Sequence, residues 1–356
     1  MRVAVLGVGL IGGSIGLAAR GLGHEVAGWD VDPDALAAAV ERNAVDRAAT
    51  SVADALVDAA VCFVCVPVGA LGELALEALA AAPEECVVSD VGSTKRSLAA
   101  ATGDERFIGG HPLAGSEASG IAHARPDLFD DATWYLTPGE RSSGVLYERL
   151  HSLIVAFGAR PAAIDAETHD QLMAVTSHLP HVLANVLIDQ AGDRLREHGA
   201  AVPRIGPSLR DATRVAGANP AIWTDIFMSN AETLSEEIRE VARALEQVAD
   251  RLADSERDAL DDWHRHAREQ RRLLLEADLA GGPVHELRVA VPNRPGIVAQ
   301  VALALGRGGV NIVDMALAPA PDNRSGSITL WVAGDGAAAR AAELVGELGF
   351  PVHGAG

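Results

Sequence analysis

The sequence predicts an α/β chain of three parts: a doubly wound parallel sheet, an all-helical segment, and a small α+β module. Three observations carry that prediction. Short apolar runs alternate with Ala/Leu-rich helical stretches over the first 160 residues. Helical periodicity then replaces turn signals from about Asp165 to Ala280. The last 70 or so residues alternate short strand-like and helix-like pieces with a turn in the middle. The boundaries expected from these shifts are residues 1–164, 165–280 and 284–356.

Taken in order, residues 3–9, 25–30, 59–68, 86–92 and 106–110 read as strands. They are apolar on both sides, as strands of a parallel sheet covered by helices must be. Residues 33–43 are helix-like, and Asp32 followed by Pro33 is a helix-capping signal. In the helical segment, Leu234, Ile238, Val241, Leu245, Val248 and Leu252 recur at spacings of 4, 3, 4, 3 and 4. That seam suits a long helix packed across a dimer axis or within a bundle of one subunit. The breaker Leu279-Ala-Gly-Gly-Pro283 ends the helices. Beyond it come strand 284–291, helix 295–307, strand 310–318, turn 321–326, strand 327–333, helix 335–347 and a short strand 349–353. This β-α-β-β-α-β order is that of a ferredoxin-like unit.

Composition limits the function. Of 356 residues, 49% are hydrophobic and 22% charged, which suits a folded chain with a real core. Lys+Arg 29 against Asp+Glu 49 leaves a net charge of −20. Such a surface repels phosphate backbones and anionic lipid, so neither nucleic acid nor membrane is an expected partner. An anionic substrate then needs a local positive site. Three cysteines are too few for a disulfide scaffold, and no apolar stretch reaches the ~20 residues of a spanning helix. The expected compartment is the cytoplasm.

The sharpest motif is Gly7-Val8-Gly9-Leu10-Ile11-Gly12, between a strand and a helix. Gly7 permits a tight turn, Gly9 lets backbone approach a pyrophosphate, and Gly12 lets the helix lie on the strand. Asp30 follows at the tip of the second strand, where a carboxylate binds both ribose hydroxyls and repels a 2′-phosphate. The pattern is that of a Rossmann-type sheet binding NAD in preference to NADP. Val66 and Pro67, at the end of the 59–68 strand, complete the expected nucleotide set. Cys62 and Cys65 form a C-x-x-C string, but odd spacing on a strand sends them to opposite faces, so they read as core.

Two clusters follow at the carboxyl edge of the sheet: Asp90-Val-Gly-Ser93-Thr94-Lys95 and His111-Pro-Leu-Ala-Gly115-Ser116-Glu117-Ala-Ser-Gly120. A histidine in a rigid Pro/Gly loop beside a cofactor edge is a catalytic candidate. In the helical segment, Ser177-His178-Leu-Pro180-His181 puts two imidazoles on one helix face. No Cys or carboxylate completes a metal set there, so no metal is expected. Arg210-Asp211-Ala-Thr-Arg214, ahead of Trp223, offers a carboxylate clamp in an otherwise acidic chain.

These strings, in this order, resemble the prephenate dehydrogenase family of tyrosine biosynthesis over roughly residues 1–280. The C-terminal module resembles an ACT domain, through Pro292-Asn-Arg-Pro-Gly296 and Gly309-Val-Asn311. The resemblance implies oxidative decarboxylation of prephenate to 4-hydroxyphenylpyruvate with NAD. It makes His111 the acceptor of the 4-hydroxyl proton, oriented by Ser93. It gives Arg214 a substrate carboxylate and His181 the pyruvyl side chain, with Glu117, Asp211, Trp223, Ser177 and His178 around the substrate. Thr94 stands where the family commonly has Val. Arogenate dehydrogenase is the alternative, then a non-catalytic amino-acid sensor. The regular 234–252 seam makes a homodimer through the helical segment the expected assembly, and the resemblance to an ACT domain implies an L-tyrosine effector held by Asn293, Arg294, Pro295, Gly296, Gly309 and Asn311.

Overall fold

The computed structural model describes residues 1–114, 119–197, 206–279, 284–320, 325–334 and 336–353. They form two compact units, Met1–His169 with Pro283–Gly356, and Asp170–Gly282.

The first unit opens with β1 (Arg2–Leu6), α1 (Leu10–Gly21), β2 (Glu25–Trp29), α2 (Pro33–Glu41), β3 (Arg47–Ala48), α3 (Val52–Ala55), β4 (Val61–Val64), α4 (Val68–Ala81) and β5 (Val87–Asp90). The strands are parallel, in the order β3-β2-β1-β4-β5. β4 is buried along its whole length and β1 from Val3 onward, and alternate residues enter different cores. Val3, Val5 and Phe63 pack on one side, while Ala4, Leu6, Cys62 and Val64 pack on the other. Asp32 accepts a hydrogen bond from the Asp34 N–H at 3.0 Å and so caps α2, as its place before Pro33 predicts.

The chain continues through α5 (Arg96–Thr102), β6 (Ile108–Pro112), β7 (Thr133–Pro138), α6 (Gly144–Ala156) and β8 (Arg160–Ala163). The 106–110 run was expected to extend the parallel sheet. It makes one parallel bridge there, Phe107 to Val88, and then leaves to pair antiparallel with β7. The second sheet has the order β6-β7-β8. At Gly110 the two strands still touch: a Cβ there would lie 2.5 Å from the Asp90 carbonyl, and glycine permits that approach. The strand-forming run Thr133-Trp-Tyr-Leu-Thr-Pro138 takes up the pairing. Trp134, fully buried, anchors it against Phe63 and Phe129 at ring distances of 6.0 and 5.0 Å.

Helix α7 (Ala166–Met173) leads into the second unit. There a π-turn (Ala174–His178) precedes α8 (Leu179–Glu197), α9 (Pro207–Ala212), α10 (Pro220–Ser229), α11 (Ala231–Ala253) and α12 (Arg257–Leu279). The α11 seam is buried only at its start. Leu234 is enclosed, whereas Leu245 and Leu252 are both 62% exposed. A core helix of one subunit would cover the seam along its length.

The C-terminal part returns to the first unit as β9 (Val284–Pro292), α13 (Ile297–Arg307), β10 (Asn311–Pro319), β11 (Ser325–Ala333), α14 (Ala337–Glu347) and β12 (Val352–His353). Its sheet runs β10-β11-β9-β12, antiparallel throughout. Val298, Leu317 and their neighbours share one buried cluster with Tyr147 and Leu150 of α6. The Gly296 N–H donates to the Ser142 carbonyl at 2.8 Å, and the Leu317 N–H donates to Glu148 Oε2 at 2.7 Å. Among the described residues no helix is long and apolar enough to cross a membrane.

Candidate active site

The glycine turn does what its spacing predicts. Gly7 has φ +93°, and a Cβ there would lie 2.4 Å from the Cys65 carbonyl. A Cβ on Gly12 would lie 1.9 Å from the Gly7 carbonyl, so only glycine lets α1 sit on this turn. Around Gly9 nothing comes within 4 Å of the missing Cβ. Gly9 precedes α1, whose first N–H to bond within the helix is that of Gly13, to the Gly9 carbonyl at 2.9 Å. The amides of Leu10, Ile11 and Gly12 therefore lie at the positive end of the helix dipole, without partners in the α-helical pattern. Asp30 binds this turn directly. Its Oδ2 accepts from the Val8 N–H at 2.8 Å, and its Oδ1 from the Asp32 N–H at 2.9 Å. A carboxylate can accept about four hydrogen bonds, which leaves capacity for ribose hydroxyls. Half-buried Val66 and exposed Pro67 follow β4 on the same edge. An open turn, helix-end amides and a carboxylate with spare acceptors together fit a dinucleotide.

The cysteines take no part. Cys62 points into one core and Cys65 packs against the other, so the C-x-x-C string cannot close. Burial pushes all three thiols up, that of Cys86 to about 12, so none is a thiolate near neutrality.

His111 lies inside β6, opposite Tyr135 of β7, rather than in a loop beyond the strand. Its imidazole also has a partner other than the one expected. Ser93 lies half-buried between β5 and α5, while His111 Nδ1 is 2.9 Å from Nε2 of His169. The two rings meet edge to face at 5.1 Å, and His169 itself is fully buried with its ring edge-on to Tyr135. Burial raises the Tyr135 phenol above its ordinary value, which keeps it a neutral neighbour. His169 belongs to α7, whose start is held by Asp165 accepting from the Thr168 N–H and hydroxyl at 2.9 and 2.6 Å. Nothing in Glu167-Thr-His169-Asp170 marks this histidine in the sequence, because its partner is 58 residues away. Glu117 lies outside the described residues.

In the second unit, Pro180 has no N–H to give the Thr176 carbonyl, and the helix widens into its π-turn just before it. His178 and His181 flank that break and are both buried. Trp223 of α10 stacks on His181 at 3.6 Å and 14°, and meets His178 edge-on at 6.3 Å. The His178 Nδ1 lies 3.3 Å from the Asn230 amide nitrogen. Burial lowers the His181 imidazole below its ordinary value, and its Nδ1 is buried with no hydrogen-bond partner among the described residues. Ser177 is half-buried on the π-turn. Arg210 and Arg214 do not share a helix: α9 stops at Ala212, and Arg214 starts a separate 3-10 turn (Arg214–Gly217). Asp211 and Arg214 are exposed. No cluster of three metal-ligating residues exists among the described residues.

The candidate effector residues divide. Arg294, Pro295 and Gly296 line a pocket of about 340 Å³ with Glu140, Gln300 and Arg307. Gly309 and Asn311 lie beyond the other end of α13 and do not line it; the Asn311 side chain lies outside the described residues, and Asn293 is half-buried. Gly296 was expected among the residues that hold the effector. It is bound to Ser142 instead, and a Cβ on Gly296 would lie 1.9 Å from the Glu140 carbonyl. This glycine serves the contact between the C-terminal module and β7–α6.

Comparison with known proteins agrees with this arrangement. Residues 15–162 match the prephenate dehydrogenase nucleotide-binding domain, and residues 165–268 match the prephenate dehydrogenase dimerization domain. A prephenate dehydrogenase of Bacillus subtilis is 28% identical over 355 residues, covering 96% of this chain and 95% of its own. The crystal structure of prephenate dehydrogenase from A. aeolicus, in complex with hydroxyphenyl propionate and NAD+, is 26% identical with a TM-score of 0.69. It covers 77% of this chain and 98% of that one. Synechocystis arogenate dehydrogenase is 28% identical with a TM-score of 0.67, covering 77% of this chain and all of that one. With these two models matching residues 15–162 and 165–268, the chain belongs to the prephenate dehydrogenase family of NAD-dependent oxidoreductases.

Proposed function

We propose that the chain oxidises prephenate with NAD+, releasing CO2 and 4-hydroxyphenylpyruvate in L-tyrosine biosynthesis. Bound NAD+ supplies the acceptor for the hydride that leaves C4. The observation that carries the reading is His111, whose Nδ1 is tied to His169 on the edge of a nucleotide-binding unit. With Nδ1 so engaged, Nε2 is the nitrogen that takes the 4-hydroxyl proton as C4 becomes a carbonyl. The electron pair of the C1–carboxylate bond then passes into the ring, CO2 leaves, and the C4 oxygen, now a phenolate, takes the proton back from His111 to give the phenol. Ser93 contributes a hydroxyl on the neighbouring loop. Arg214 pairs with a substrate carboxylate, and Asp211, Ser177, His178 and Glu117 border the substrate. Trp223 holds the His181 ring by stacking. Asp30 sets the preference for NAD+ over NADP+.

Arogenate is the second reading, since an arogenate dehydrogenase is as similar in fold. His181 favours the keto acid. A neutral imidazole donates to a keto oxygen without charge, whereas an ammonium group would have to occupy its single acceptor nitrogen. The test is NADH formation from prephenate and from arogenate, each with NAD+ and with NADP+. Faster turnover of arogenate overturns the substrate assignment, and no turnover of either overturns the enzyme reading.

The same proposal covers assembly and control. The domain boundaries are residues 1–164, 165–280 and 284–356. The helical domain pairs with a second copy through the uncovered α11 seam. The C-terminal module is an ACT domain that takes L-tyrosine beside Arg294 and Pro295, and the enzyme works in the cytoplasm. The alignment to the Bacillus relative, at 96% of this chain, extends well into that module.

A further inference from the structure

Beneath the His111 strand lies a buried ion pair that the reaction scheme leaves unused. Asp90, at the end of β5, is fully buried, and Lys95, immediately before α5, is 1% exposed. The Lys95 ammonium binds Asp90 Oδ2. The same oxygen accepts from the Gly92 N–H at 2.8 Å, and Oδ1 accepts from the Gly110 N–H at 3.1 Å. One carboxylate thus holds the loop that carries Ser93, the residue next to His111 in β6, and the start of α5. Packing leaves little slack. A Cβ on Gly109 would lie 2.3 Å from Thr137 Oγ1 and 3.1 Å from Lys95 Cδ.

Burying two ions is costly, and a pair of apolar side chains would fill the space without that cost. An apolar pair, however, could not accept hydrogen bonds from two backbone amides. A lone carboxylate could, but it would leave a net charge below the imidazole. We infer that Asp90 and Lys95 are positioning residues for His111: the carboxylate locks the Ser93 loop to the His111 strand, and the ammonium cancels its charge, so that the proton affinity of His111 is not raised by the group that positions it. The inference rests on His111 being the proton acceptor. Among the described residues of this unit, other titratable groups near His111 come from three elements. Tyr135 is on β7. His169 is on α7, with Asp165 and Glu167 at that helix's start. Arg96 is on α5, paired with Glu167 at 3.1 Å. None of them is altered in the variants below.

The test titrates the His111 ring proton by NMR in full-length protein, assigned by its loss in His111→Gln, and compares it with the pH profile of kcat/KM. In Lys95→Met the Asp90 carboxylate keeps its two amide donors and loses its counter-ion. An uncompensated charge within ~10 Å, at an effective dielectric near 20, moves a pKa by about one unit. His111 should therefore titrate about one unit higher, and the acidic limb of kcat/KM should move with it. Asp90→Asn/Lys95→Met removes both charges, and Lys95→Arg retains both; each should restore the wild-type titration. If Lys95→Met does not fold, Lys95→Gln, which keeps a donor to Asp90 without charge, replaces it. An unmoved titration in the single variant, or a double variant shifted as far as the single, overturns the inference. The NMR reading needs no turnover. A wild type inactive on both substrates would therefore defeat the proposed function while leaving the ion-pair inference to be judged by titration alone.

Discussion

Replacing His169 with Ala should disable His111 without touching the substrate or the nucleotide. For Nε2 of His111 to accept a proton, its Nδ1 must carry hydrogen and donate to His169 Nε2, 2.9 Å away. As the 4-hydroxyl proton arrives, His111 becomes an imidazolium and that bond becomes charge-assisted. Hydrogen bonds to charged groups contribute roughly 1.5–3 kcal/mol, so kcat should fall about 10- to 100-fold. The direction of the pH effect follows from the same bond. An acceptor at Nδ1 stabilises the charged form, so its loss lowers the His111 pKa, and the acidic limb of kcat/KM should move to lower pH. KM for NAD+ should be unchanged. His169→Gln can place an amide oxygen near the Nε2 position and should recover much of the rate. Stopped-flow or steady-state NADH formation across pH measures all of this. A variant His169→Ala with wild-type kcat and an unmoved acidic limb would show that the 2.9 Å contact is incidental packing.

Four further outcomes follow from the geometry. Asp30→Ala should weaken NAD+ binding and narrow the preference over NADP+, read from kcat/KM with each cofactor; a wild type indifferent to the 2′-phosphate would refute the ribose assignment. Arg214→Ala should raise KM for prephenate with nucleotide binding intact; the same effect from Arg210→Ala, and none from Arg214→Ala, would assign the anchor to the helix α9 instead. Leu245, 62% exposed in the single chain, should give monomers or insoluble protein when changed to Glu, and a wild-type monomer at micromolar concentration in ultracentrifugation would remove the dimer seam. Arg294→Ala should relieve inhibition by L-tyrosine at unchanged basal activity; unaltered inhibition would mean that tyrosine competes at the substrate site. A point change is the cleaner test here, because the C-terminal module shares its buried cluster with α6 and its removal would expose that core.

Much of this molecule is local and therefore readable along the chain. The glycine turn, the Asp32 cap, the α11 seam and the β-α-β-β-α-β order each depend on residues a few positions apart, where backbone geometry and side-chain period act directly. The sheet edge carrying Asp30 follows from the same logic. Other features are contacts across long separations, which no spacing encodes. His169 reaches His111 over 58 positions, Trp223 stacks on His181 from another helix, and Gly296 exists to let the Glu140 carbonyl approach. The departure of β6 from the parallel sheet was hidden for a related reason. The strand-forming pattern of residues 106–110 says that a strand exists but not which neighbour it pairs with; the partner it takes is β7, whose buried Trp134 lies opposite Pro112. The sequence by itself determined the layers and the nucleotide edge, because those need only period and turn chemistry. Tertiary structure alone decided which groups surround the His111 imidazole, because a hydrogen bond requires two side chains to arrive at one point, and only the folded chain brings them there.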